Sequence, residues 1–152
     1  MSQLHEATFA GTIHLVPNSQ VHLFVGALSA GGYAYLSNPS DDPLNRLSSC
    51  LGSIVGGLLT AKLPDRIDPP VGYSHRSIGH SFILNALALG LTIPKLKKLI
   101  QQFQEKAEQA SNVGDMQQSS KWHFYACLLA GLVIGLGSHL LLDACTPMGL
   151  PW

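Results

Sequence analysis

The sequence predicts an all-α fold, an up-down bundle of about four apolar helices embedded in a membrane. Three observations carry that prediction. Charged residues make up only 12% of the 152, about half the roughly 25% of an ordinary soluble domain. Hydrophobic residues, 46% of the chain, are gathered into four stretches rich in Gly, Ala, Ser and Leu. Short runs of Pro, Gly or polar residues separate those stretches, the connections expected between antiparallel helices.

Residues 1–20 are mixed and weakly patterned, and His5, Glu6 and His14 have no spacing that marks a site. No basic n-region precedes an apolar h-region, so no cleaved signal peptide is expected. Pro17-Asn18-Ser19 reads as a helix start, with Asn18 or Ser19 as the N-cap. The first apolar segment, 20–37, has His22 in its first turn as its only ionisable side chain apart from two tyrosines. Residues 38–45, with Pro39, Asp41, Asp42 and Pro43, read as a loop. In the second segment, 46–63, Gly52 and Gly56 form a small-xxx-small pair, the spacing that lets helices approach closely in a bilayer.

Residues 63–81 are punctuated by Pro64, Pro69, Pro70, Gly72 and Gly79, and read as a shaped loop rather than a helix. The third segment, 81–93, is expected to stop at Pro94, and it is short against the roughly 20 apolar residues a span needs. Residues 95–121 form a polar connector. It begins as an amphipathic helix on Leu96, Leu99, Ile100 and Phe103 and breaks at residues 111–115. The fourth segment, 122–142, contains no Lys, Arg, Asp or Glu and is the clearest span. The whole chain, 1–152, is read as a single helical domain.

Ligand-type residues fall at the segment ends. His22 opens the first segment; Asp65 and Asp68 follow the second; His75 and His80 precede the third; His139 and Asp143 close the fourth. In an alternating bundle all four places lie at one end. His139 and Asp143, four apart, share one helical face. Carboxylates and imidazoles together suit a divalent metal, zinc foremost or manganese. Arg76 stays protonated and suits an anionic substrate rather than a metal. Blander readings stay open: Asp65 could cap a turn, His75 and His80 could be ordinary loop histidines, and His139 with Asp143 could be a core ion pair. Cys50, Cys127 and Cys145 lie at no metal-motif spacing and read as small buried hydrophobes, without a disulfide framework. The zero formal net charge excludes a basic nucleic-acid footprint.

Three motifs in order carry a family resemblance. Leu63-Pro64-Asp65-x-x-Asp68-Pro69 is followed by His75-Arg76-x-x-x-His80-Ser81. Then comes Gly137-Ser138-His139-Leu-Leu-x-Asp143-x-x-Thr146-Pro147-x-Gly149-x-Pro151. Together they resemble the YdjM-like family of inner-membrane metal-dependent hydrolases, over most of residues 20–152. That family is remotely similar to zinc-dependent phospholipases C and fungal single-strand nucleases, helical enzymes whose His/Asp/Glu clusters hold several zinc ions. The resemblance implies metal ligands at His22, Asp65, Asp68, His75, His80, His139 and Asp143. Residues 77–79, Ser-Ile-Gly, depart from the usual Gly-aromatic-Thr/Phe between the two histidines, which alters shape more than ligation. The chain also ends at Trp152, where many members continue.

The implied activity is hydrolysis of a phosphoester, a phospholipid among the candidates, by a metal-activated water. Asp65 or Asp68 would bridge metals or act as base, and Arg76 would hold the anion. A non-catalytic membrane protein, with a structural metal site that serves a partner, is the alternative. A transporter is disfavoured by ligands at the bundle's end rather than mid-depth. Lys62, Arg66 and Arg76 lie at the site's end; Arg46, Lys95, Lys97, Lys98, Lys106 and Lys121 lie at the other. The positive-inside rule then places a multi-pass protein of the inner (plasma) membrane with its site facing outward.

Overall fold

The computed structural model describes residues 19–38, 42–67 and 81–145. They form α1 (Ser19–Ser37), α2 (Pro43–Thr60), the short α3 (Leu63–Ile67), α4 (Phe82–Asn112) and α5 (Met116–Ala144). The all-α bundle is as expected, and no strand occurs among the described residues.

Several boundaries differ from the sequence expectation, each for a local reason. Helix α2 begins at Pro43, inside the expected loop. The Asp42 carboxylate accepts from the Asn45 N–H at 2.8 Å, and proline at the first helical position gives up no intrahelical bond. Residues 63–67, expected as loop, wind into α3 with Pro64 buried and Asp65 in the first turn. Helix α4 does not stop at Pro94 but runs on through the expected connector. Pro94 lacks the N–H that would reach the Gly90 carbonyl, yet helix formers follow directly, and Ala107 and Ala110 are buried. A neighbouring helix can hold such a segment straight through a proline. The break expected at 111–115 is present: Gly114 takes φ 77°, and Asp115 caps α5 by accepting from Gln118 N–H at 3.0 Å.

Helices α2 and α5 run parallel and form the central pair. Gly52 lies against Phe124, Gly56 against Leu128 and Gly131, and Ala61 against His139, so position rises together along both. A Cβ added at Gly52, Gly56, Gly131 or Gly135 would collide with a backbone oxygen of the facing helix. Two small-xxx-small pairs, Gly52/Gly56 and Gly131/Gly135, thus bring the two backbones into contact. Thr60 Oγ1 of α2 also donates to the Leu132 carbonyl of α5 at 2.7 Å. Antiparallel α1 packs on both helices, with Ser53 Oγ of α2 donating to its Ala30 carbonyl at 2.7 Å. Helix α4 packs back along α5, where Phe103 stacks on Trp122 at 5.4 Å.

The interior is built of small residues. The buried hydrophobic side chains are alanines, joined by Ser49, Ser53 and Ser119, while Leu36 is 81% exposed and Phe24 65%. Leaving such side chains in water would forgo roughly 1.5–3 kcal/mol each, a loss that lipid removes. Two stretches are long and apolar enough to span a bilayer, Pro43–Ile67 and Met116–Ala144, yet only 39% and 28% of their most apolar windows are buried. A core helix of a soluble protein would be mostly buried; these two present their apolar surface outward. The cysteines are free, as expected, but not buried: Cys50 and Cys127 are half-buried and Cys145 is exposed.

Candidate metal centre

The start of α1, the C-terminal end of α2, α3 and the end of α5 meet at one end of the bundle. His22 projects from the first turn of α1, and His139 and Asp143 from successive turns of α5. All three are buried, His139 completely. The imidazoles stack, centroids 3.9 Å apart and 25° between planes. Asp143 reaches both: Oδ1 lies 3.5 Å from His22 Nε2 and Oδ2 3.2 Å from His139 Nε2. One ligand atom from each residue can be chosen so that all lie within 4.8 Å of one another.

The other ring nitrogen of His139 decides its chemistry. Nδ1 sits 2.5 Å from the carbonyl oxygen of Ala61, the residue that caps α2. A carbonyl can only accept, so Nδ1 carries the proton, and in the neutral ring Nε2 turns its lone pair to the carboxylates. Metal-binding histidines are commonly oriented in this way by a bond from the second nitrogen. Asp65 stands at the rim, with a side chain 26% exposed and Oδ1 3.7 Å from His139 Nε2. Two carboxylates and two imidazoles therefore converge, a donor set that suits a divalent ion such as zinc.

Four of the seven expected ligands, His22, Asp65, His139 and Asp143, come together at the expected end. Asp68, His75, Arg76 and His80 lie outside the described residues, as do His5, Glu6 and His14. A family model described as YdjM inner membrane protein matches residues 18–152. The chain belongs to that family. No curated protein and no solved structure matches it. Membership in the YdjM inner membrane protein family agrees with the outward-facing leucines and the small-residue interior. This YdjM-family chain is a membrane protein with a helical bundle and a buried His/Asp cluster able to hold a metal ion.

The Ala61 carbonyl is a functional group that no side-chain pattern reveals. A second polar cluster, at the other end, also escaped the sequence reading. There the Asn38 amide donates to Ser49 Oγ at 2.5 Å and lies 3.3 Å from His123 Nδ1. The available signal was a lone histidine within the longest apolar segment.

Proposed function

We propose that this chain is a multi-pass inner-membrane metal-dependent hydrolase, acting as a single domain on phosphoesters. The observation that carries the reading is the convergence of His22, His139, Asp143 and Asp65, with His139 held in one tautomer by Ala61. A divalent ion bound there would supply the positive charge that lowers the pKa of a bound water towards about 7. Asp68, His75 and His80 complete the proposed ligand set, and zinc is the proposed metal.

The residues divide the work. His22, His139 and Asp143, buried and mutually braced, hold position. Asp65, partly exposed at the rim, would take a proton from the attacking water. That water's oxygen forms a bond to phosphorus, the ester P–O bond breaks, and the leaving oxygen takes up a proton. Arg76 is assigned to the phosphate charge, where a guanidinium can donate two parallel hydrogen bonds.

The alternative is a structural metal that pins the ends of α1, α3 and α5 together, favoured by the near-complete burial of three ligands. An open coordination position separates the two readings, and the partial exposure of Asp65 supports the catalytic one. The test is hydrolysis of a chromogenic phosphodiester by the detergent-purified chain. Activity abolished by chelator, restored by zinc or manganese and lost in Asp65→Asn supports the hydrolase. Activity indifferent to all three overturns it.

A further inference from the structure

Helix α4 packs chiefly on α5, and the closeness of that packing changes at Pro94. After Pro94, Leu96, Ile100 and Phe103 are half-buried and Ala107 and Ala110 buried on one face. Before it, Leu87, Leu91 and Ile93 are exposed and Leu89 is half-buried.

The facing stripe of α5 shows the same gradient. Ala126, Ala130, Val133, Gly137 and Leu141 fall three or four apart and so share a side. Ala126 is 2% exposed, Ala130 and Val133 are half-buried, Gly137 is exposed and Leu141 is 67% exposed. A Cβ added at Gly137, or at Gly90 of α4, meets nothing within 4 Å. Helices α1 and α4 therefore close over α5 near the α4–α5 turn and part towards the end that carries the metal cluster. Where they begin to part lies a cleft of about 440 Å³, with Tyr33 on one wall and Ile93, Leu96 and Ile100 on the other.

The backbone of α4 is weakest at this level. Pro94 has no N–H for the Gly90 carbonyl, and a proline ring crowds the carbonyl four residues before it. Gly90 has no side chain to restrict its backbone. Thr92 Oγ1 donates to the Ala88 carbonyl, a bond that competes with the helix's own and bends it. Three features that loosen a helix thus fall between residues 90 and 94. In lipid no hydrophobic force draws helices together, so the exposure of Leu87 and Leu91 does not pull this segment shut.

We propose that residues 82–89 form an arm hinged at Gly90–Pro94, swinging between the parted position and a closed one that covers Gly137 and Leu141 of α5. The cleft beside Ile93 is the room into which the base of the arm moves. The chain leading into the arm carries His75, Arg76 and His80, so the swing also moves residues assigned above to the metal and the phosphate. That consequence rests on the metal-dependent reading; the hinge does not. Ala86 stands eight residues before Pro94, about 12 Å at a rise of about 1.5 Å each. A bend of about 20° shifts it by about 4 Å.

The test is pulsed electron–electron distance measurement between spin labels on the full chain in lipid nanodiscs, with Cys50, Cys127 and Cys145 replaced by Ser. One pair joins the arm to α1, Ala86→Cys with Ser29→Cys. The other joins the anchored half of α4 to α1, Glu105→Cys with Leu36→Cys. All four positions are exposed. The arm pair should give a distance distribution about 4 Å broader than the anchored pair, and Pro94→Ala should narrow it to the anchored width. An unchanged anchored pair shows that the variant is folded; if that pair shifts in Pro94→Ala, Gly90→Ala carries the same comparison. Equal widths for the two pairs, or an arm width that neither substitution narrows, would overturn the proposal. Zinc content of the same samples separates the two readings: a swinging arm on a metal-free chain sinks only the metal-dependent one.

Discussion

His139 Nδ1 and the Ala61 carbonyl oxygen are 2.5 Å apart, joining the second turn from the end of α5 to the cap of its parallel partner α2. The α2–α5 packing and the chemistry of the site are therefore one arrangement. The glycine seam brings α2 close enough for its last carbonyls to serve as an orienting group. Loosening the seam should disturb the His22/His139/Asp143 cluster even though Gly52, Gly56, Gly131 and Gly135 are not part of it.

The first prediction concerns that seam. Gly131→Val places side-chain atoms where the Ser53 carbonyl oxygen lies, and Gly56→Val does the same at Leu128. Overpacking of this kind costs about 1–3 kcal/mol or more. A lower thermal midpoint in detergent and reduced metal content are expected. Gly137→Ala and Gly90→Ala, where an added Cβ meets nothing within 4 Å, should fold like wild type. Equal tolerance at all four positions would mean that the close approach is not needed.

At Pro94 the prediction runs the other way. Pro94→Ala restores the backbone N–H facing the Gly90 carbonyl, and a proline inside a helix costs about 3 kcal/mol where nothing offsets it. The variant should melt no lower than wild type and keep its metal. A clear loss of stability would show that the proline is required in the bent or unpaired form.

Much of the site was legible because its chemistry sits at segment ends. His22, Asp65, His139 and Asp143 are ionisable residues bordering apolar runs, and alternating direction brings such borders together. The pairing of α2 with α5 was not legible. Alternation fixes which way each helix points but not which helices touch, and Gly131/Gly135 is informative only once it faces Gly52/Gly56. Local propensity also misplaced two boundaries. Asp42-Pro43 reads as a turn and equally as a cap with its first helical residue. Pro94 reads as a stop, yet an amphipathic face at Leu96, Ile100, Phe103, Ala107 and Ala110 continues beyond it.

Membrane location makes a prediction of its own. Leu36, Phe24, Leu28 and Leu59 are all more than half exposed, a surface that water would not tolerate and lipid accepts. The chain should remain in the membrane pellet through alkaline carbonate extraction. Its release into the supernatant would contradict the outward apolar surface as a lipid-facing one.

Orientation can be read with thiol labelling. Cys145 is exposed at the end that carries the metal cluster, and Val113, 81% exposed, sits at the α4–α5 turn. Lys95, Lys97 and Lys98 lie midway along α4 rather than at the turn, so Arg46, Lys106 and Lys121 are what supports the sequence expectation that the turn end faces the cytoplasm. An impermeant maleimide applied to intact spheroplasts should label Cys145 and, in Cys145→Ser, spare Val113→Cys until the membrane is opened. The reverse pattern would turn the site inward.

The most direct measurement is elemental analysis of the purified chain beside His139→Ala and Asp143→Ala. The account predicts a stoichiometric divalent metal, zinc or manganese, in the wild type and its loss in both variants, while Gly137→Ala retains it. A wild-type chain free of metal after purification without chelator and resupply of zinc, with both variants folded, would contradict it. The His22/His139/Asp143 cluster would then be a buried ion pair holding two helix ends together.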